Sequence, residues 1–287
     1  MNKQSPQVRP FFHEPTGTWS YLVSHDGHAA IIDPVLDYDP ASASTSTASV
    51  EAIISAVRDS GAKVDWILET HAHADHLSAA PAVKAALGGE IIIGEGIRRV
   101  QTHFKPVFAL PADFPCDGSQ FDRLLADGDT LPLGGLRIEA IATPGHTSDS
   151  LSYRIDDALF VGDTLFMPDG GSARCDFPGG DARLLYQSIQ KLYQLPDDTR
   201  VFVCHDYAPG GREVACETSI GEQKRANIHL NTGVSEAEFV ERRTARDRTL
   251  GMPNLILPSI QINIRAGRFP EADAEGHRYL TFPLNRF

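Results

Sequence analysis

Seven side chains able to hold a metal follow one another in a fixed order. His71, His73, Asp75 and His76 fall inside one hexapeptide, His71-Ala72-His73-Ala74-Asp75-His76. His146 follows in Thr143-Pro144-Gly145-His146-Thr147, Asp163 in Gly162-Asp163-Thr164, and His205 in Cys204-His205-Asp206-Tyr207. Packing does not account for three histidines and an aspartate in six residues. Buried together they lose hydration, and only a cation or a dense hydrogen-bond network compensates. Imidazole with carboxylate suits Zn, Fe, Mn or Co rather than Ca or Mg. A solvated histidine-rich turn is the alternative, but the hexapeptide follows an apolar run, as a site at a strand end would.

The elements that must position these groups alternate between strand and helix. Ser20 to Val23 and Ala29 to Val35 read as strands joined at Asp26-Gly27. The small-residue tract from Ala41 to Ser49 reads as a surface loop leading into a helix whose inward face is Val50, Ile53, Ile54 and Val57, closed by Gly61. Trp66-Ile67-Leu68 is the strand that delivers the histidine hexapeptide, and Ser78 with Pro81 opens a helix that ends at Gly88-Gly89. In the second half, Leu136 to Ala142 runs into His146, Leu159 to Val161 into Asp163, and Arg200 to Cys204 into His205. Asp181 caps a helix predicted to turn Leu184, Leu185, Ile189 and Leu192 inward and to stop at Pro196. Ser235-Glu236-Ala237-Glu238 is a capping box, and the chain then reads as extended through Ile260, Ile262 and Ile264.

Bulk properties exclude several classes. The 287 residues, 41% hydrophobic, suffice for a large core, and a net charge of −12 argues against a nucleic-acid partner. No apolar stretch approaches a membrane span, and Met1 to Val8 lacks the apolar core of a secretory leader. The four cysteines, Cys116, Cys175, Cys204 and Cys216, are dispersed and read as free thiols. A cytoplasmic location is the expectation.

The ligand series resembles the signature of the metallo-β-lactamase superfamily. The resemblance implies an α/β fold, a four-layer αββα sandwich over residues 1–212, with 213–287 as a C-terminal extension packed on the core. Gly171-Ser172-Ala173-Arg174-Cys175-Asp176-Phe177 is similar to a Gly-x-x-Arg-x-Asp-Phe stretch of the persulfide dioxygenase (sulfur dioxygenase) branch, with Cys175 at a variable position. His205-Asp206-Tyr207 and Asn263-Ile264-Arg265-Ala266-Gly267 also resemble that branch, and Gly221 to Asn227 resembles a bacterial β-lactamase-like hydrolase subgroup. In this branch a single Fe(II) is held at positions matching His71, His146 and Asp163, leaving an open face for a sulfur and O2. His73, Asp75, His76 and His205 then orient ligands and waters.

The same residues would also serve two zinc ions: His71, His73 and His146 for one, Asp75, His76 and His205 for the other, with Asp163 bridging. That is the arrangement of a hydroxyacylglutathione hydrolase of the glyoxalase II type. A non-catalytic metal-binding sensor is a third possibility, although no ligand is lost. The dioxygenase resemblance implies glutathione persulfide, O2 and water as reactants and sulfite and glutathione as products, a sulfide-detoxifying step fed by a rhodanese-like sulfurtransferase, and a homodimer is compatible with it. Glutathione persulfide carries two carboxylates, for which Arg174, Lys224 and Arg225 are the candidate cations. Tyr207, His205 and Asp75 are the candidate catalytic groups beside the metal, with Tyr207 also placed to contact substrate.

Overall fold

The computed structural model describes residues 5–286. The first half contains β1 (Gln7–His13), β2 (Thr18–His25), β3 (His28–Ile32), β4 (Val35–Asp39), β5 (Ser44–Ser46), α1 (Ala48–Ser60), β6 (Lys63–Leu68), β7 (Leu77–Ser78), α2 (Ala80–Leu87), β8 (Glu90–Gly94), α3 (Ile97–Val107) and β9 (Arg123–Leu125). The second contains β10 (Thr130–Leu133), β11 (Leu136–Ala142), β12 (Leu151–Ile155), β13 (Ala158–Phe160), α4 (Ala182–Leu192), β14 (Arg200–Phe202), β15 (Glu217–Ser219), α5 (Ile220–Ala226), α6 (Glu236–Asp247) and α7 (Ile256–Asn263). One six-stranded sheet runs β1-β2-β3-β6-β8-β9 and a second β10-β11-β12-β13-β14-β15.

Three hydrophobic layers hold these sheets together. Tyr21, Val23, Ile32 and Leu68 from the first sheet meet Ile138, Tyr153, Phe160 and Phe202 from the second. On the outer face of the first sheet, Ile31 and Ile67 pack against Val50, Ile53 and Val57 of α1, Val83 of α2 and Phe104 of α3. On the outer face of the second, Leu159 and Val201 pack against Leu185 and Ile189 of α4 and Phe239 of α6. Helices, two sheets and helices again make the expected four layers, because each sheet is apolar on both faces and each helix on one stripe.

Most element boundaries follow the sequence signals. Gly61 takes φ 67° and its N–H caps α1 on Val57 and Arg58. The Asp181 carboxylate accepts from the N–H groups of Arg183 and Leu184, and Ser235 and Glu238 form the reciprocal box at α6.

Four expectations are corrected. Within the tract from Ala41 to Ser49, Ser44–Ser46 pairs with β4 as β5. Leu184 is exposed, and Leu185, Ile189 and Leu192 carry the buried face of α4. The segment through Ile260 and Ile262 is helix α7, not extended chain, with Ile264 as its C-terminal cap. That helix is buried on every side, so it lacks the polar stripe that marks a helix in sequence, and Pro258 sits in its first turn, where no helical N–H is missed. Finally, β15 completes the second sheet from beyond position 212, so sheet and extension are not divided there.

Candidate metal centre and its cavity

β6 ends at Leu68, and the loop that follows is held by buried polar groups from several distant parts of the chain. Asp33, just past β3, accepts from the Thr70 N–H at 2.7 Å and the Thr70 hydroxyl at 2.9 Å. Asp149 accepts from the Ala72 N–H at 2.8 Å. Asn263 in α7 donates to the carbonyls of His73 and His76, both at 2.8 Å, and accepts from the Ser78 N–H at 2.9 Å. Gly145 fixes the second ligand loop. At φ +141° it lies so close to α4 that an added Cβ would sit 2.3 Å from the Leu185 nitrogen, and its carbonyl accepts from the Asp181 N–H at 2.8 Å.

Each of the five imidazoles is anchored through one ring nitrogen and turns the other inward. The anchors are the Thr70 hydroxyl for His71 (3.0 Å), Asp33 for His73 (2.9 Å) and the Leu77 carbonyl for His76 (3.4 Å). His146 is held by the Arg174 carbonyl (2.7 Å) and His205 by the Thr18 hydroxyl (3.3 Å). Inward-facing Nε2 of His71, His76 and His205, Nδ1 of His73 and Oδ1 of Asp163 are buried without a hydrogen-bond partner. Natural proteins rarely leave even one such atom unsatisfied. Five converging here, the four imidazoles each with its outer partner in place, fit a metal centre with its orienting shell.

The Asp163 carboxylate lies between the histidines. Its Oδ2 is 3.9 Å from His71 Nε2 and 3.6 Å from His146 Nε2, and its Oδ1 is 3.5 Å from His205 Nε2. His205 Nε2 is also 3.1 Å from Asp75 Oδ2. Donor atoms of His71, His146 and Asp163 form one set mutually within 4.8 Å, and those of His73, His76, Cys204 and His205 form another. Burial, with the neighbouring histidines, holds His71 well below the usual imidazole range and His76 down to about 3, so both present lone pairs at neutral pH. Burial likewise pushes the Asp163 carboxyl up.

His146, Asp163, Asp75 and His205 open into a cavity of about 1290 Å³ walled by Phe12, Phe166, Phe177 and Tyr207, with Arg174, Arg243 and Arg246 also in its lining. Tyr207 is 64% exposed, and its ring stacks on His205 with centroids 5.8 Å apart and planes 3° from parallel. Arg174 reaches the cavity, but its guanidinium is already engaged: two bonds to Asp176 (2.6 and 2.7 Å) and one to the Gly251 carbonyl (2.6 Å). Lys224 and Arg225 do not line the cavity. They sit in the last turn of α5, paired with Asp197 at 2.6 Å and Glu222 at 2.7 Å, so this expectation for the substrate cations is corrected. Cys175 is buried off the cavity wall, and burial pushes its thiol up, which makes it inert.

Asp33 and Asp149 were not singled out from sequence, and Asn263 entered only as part of the stretch Asn263 to Gly267 that resembles the dioxygenase branch, with no role given to it. Asp33 and Asp149 offered no signal beyond following or preceding an apolar strand, and Asn263 lies 187 residues from His76. Replacing Asn263 by leucine is expected to lower stability by about 2–5 kcal/mol, since three buried backbone groups lose their partner. Metal affinity should fall about 10–100-fold as the loop loosens. Urea unfolding and chelator competition measure the two; no change in either would make the amide incidental.

A family model described as the metallo-beta-lactamase superfamily matches residues 13–205. The chain belongs to that superfamily. Over 290 residues it is 54% identical to a probable metallo-hydrolase of Burkholderia pseudomallei (strain 1710b), covering 97% of this chain and 99% of that one. It is 48% identical to a beta-lactamase hydrolase-like protein of Xylella fastidiosa (strain Temecula1), covering 98% of this chain but only 65% of the relative. It is 27% identical over 266 residues to the human mitochondrial persulfide dioxygenase ETHE1, covering 91% and 88%. The crystal structure of ETHE1 from Myxococcus xanthus superposes with a TM-score of 0.72 at 29% identity, covering 91% of this chain and all of that one. Metal binding in this fold is thus common ground, and among the described residues no helix is long and apolar enough to cross a membrane.

Proposed function

We propose that the protein is a glutathione-dependent persulfide dioxygenase, in which one Fe(II) is held by His71, His146 and Asp163. The observation that carries this reading is the compact donor set of two imidazoles and one carboxylate, two of whose members line the large cavity. That set leaves several coordination positions open on one side, as non-haem Fe(II) oxygenases require. Likeness to ETHE1 over 91% of the chain supports it. Bound iron would supply the redox chemistry that joins O2 to sulfur. The balance is glutathione persulfide, O2 and water giving glutathione, sulfite and two protons.

The chain's own residues hold and shield the reactants. Phe12, Phe166 and Phe177 wall the cavity and exclude water from the persulfide end. The Tyr207 hydroxyl, on an exposed ring that lines the cavity, is neutral at physiological pH like any ordinary phenol and can donate to an anionic sulfur or oxygen atom. Asp75, beside His205 Nε2, orients that imidazole.

A second reading rests on a specific observation. Asp163 turns Oδ1 towards His205 and Oδ2 towards His71 and His146, and His73, His76 and His205 form a donor set of their own. A di-zinc hydrolase acting on acylglutathione would use both sets. The two readings differ at His205. With a single iron, His205→Ala should keep measurable iron and lose about 10–100-fold in activity, because an orienting group is lost rather than a ligand. Metal analysis of the variant is the check. If His205→Ala strips metal as fully as His146→Ala does, His205 is a ligand and the mononuclear assignment fails.

A further inference from the structure

Three guanidiniums border the cavity, and they differ in what already occupies them. Arg174 spends its fork on Asp176. Arg243 is buried and spends its own on Asp247, at 2.8 Å through Nε and 2.6 Å through Nη2, and on the Ser172 carbonyl at 2.9 Å. Arg246, in the last turn of α6, is exposed and bonds through its side chain only to the Thr249 hydroxyl, at 3.3 Å. It has no carboxylate partner among the described residues. In a chain of net charge −12, an exposed cation without a carboxylate partner in the lining of this cavity is the feature an anionic ligand would find.

The position of Arg246 is tied to the candidate metal centre through few links. The Arg174 carbonyl anchors His146, and the Arg174 guanidinium bonds the Gly251 carbonyl, in the segment that follows α6. The field of Arg246 reaches the cavity wall as well. Burial first, then Arg243 and Arg246, brings His229 down to about 4, so this lining imidazole is neutral and adds no competing charge. Arg246 lines the same cavity of about 1290 Å³ as His146, Asp163 and His205, and a tripeptide extends to about 10 Å.

We propose that Arg246 is the substrate-specificity residue of the cavity, binding a carboxylate of the glutathione moiety while the sulfur end reaches the floor formed by His146 and Asp163. This rests on the glutathione-dependent reading above. It assigns recognition to α6, beyond the stretch of chain that matches the superfamily model. A planar guanidinium with a free fork grips a carboxylate through two parallel bonds, and a lysine there would act only as a point charge.

The test is calorimetric titration of the metal-loaded protein with S-methylglutathione and with its dimethyl ester, neither of which turns over. Wild type should bind the free acid about 5- to 20-fold more tightly than the ester, between the value of an exposed pair and that of a buried charge-assisted bond. Arg246→Ala should bring the two ligands within about twofold of each other, and Arg246→Lys should restore part of the preference. Thermal melting should be unchanged in both variants, since the exposed side chain makes a hydrogen bond only to Thr249. A preference that survives in Arg246→Ala, or no preference in wild type, overturns the assignment. The dioxygenase reading is judged separately: lactoylglutathione hydrolysis without O2 uptake defeats it, while the ester preference still decides the role of Arg246.

Discussion

His71→Ala, His146→Ala and Asp163→Ala are each expected to lose bound iron and to fall below about one hundredth of wild-type turnover, beyond the 10–100-fold typical of an orienting group. On the mononuclear reading, each change removes one of the three proposed ligands and leaves two. The surrounding anchors stay in place, because Thr70, the Arg174 carbonyl and Asp33 hold the remaining rings. These variants should therefore stay folded while losing metal, which circular dichroism with elemental analysis separates. A variant that keeps iron and activity would remove that residue from the ligand set.

Asp33→Ala should have the largest effect on stability, about 3–5 kcal/mol. The carboxylate is 2% exposed and serves Thr70 twice and His73 once. Its removal leaves a buried N–H, a buried hydroxyl and a buried imidazole without their acceptor, and each such group costs about 1–3 kcal/mol. Burial alone would raise this carboxyl, but the His73 charge and the bonds from His73 and Thr70 outweigh it and hold it below the usual range. Asp33→Asn keeps one acceptor for the Thr70 N–H and should recover part of the loss. Urea unfolding of the two variants measures this; an alanine variant within about 1 kcal/mol of wild type would show that Thr70 and His73 find other partners.

The candidate ligands were legible in the sequence because metal binding demands particular residue types at strand ends. His71 to His76, His146, Asp163 and His205 all lie where the order of strands predicted, and the inward nitrogens converge. Helices with a polar stripe and a cap, such as α1 and α6, were legible for the same local reason. Helix α7 was not, since a fully buried helix has no periodic polar face and its Gln261 and Asn263 mimic the alternation of a strand. Nor was the anchoring shell: Asp33 meets His73 across 40 residues and Asn263 meets it across 190, and one-dimensional spacing says nothing of either. The cationic wall shows a further limit. Lys224 and Arg225 were candidate cations in sequence and Arg246 was not singled out, while the tertiary structure pairs Lys224 with Asp197 and Arg225 with Glu222 and leaves Arg246 without a carboxylate among the described residues.

Oxygenases and hydrolases share this scaffold, and what the protein consumes separates them. The most direct measurement is O2 consumption by anaerobically prepared, iron-containing protein given glutathione persulfide, with lactoylglutathione hydrolysis followed on the same sample. One O2 consumed for each sulfite formed, with negligible thioester cleavage, is the predicted result. Rapid thioester cleavage by protein holding two zinc ions, with no persulfide-dependent O2 uptake, would contradict it.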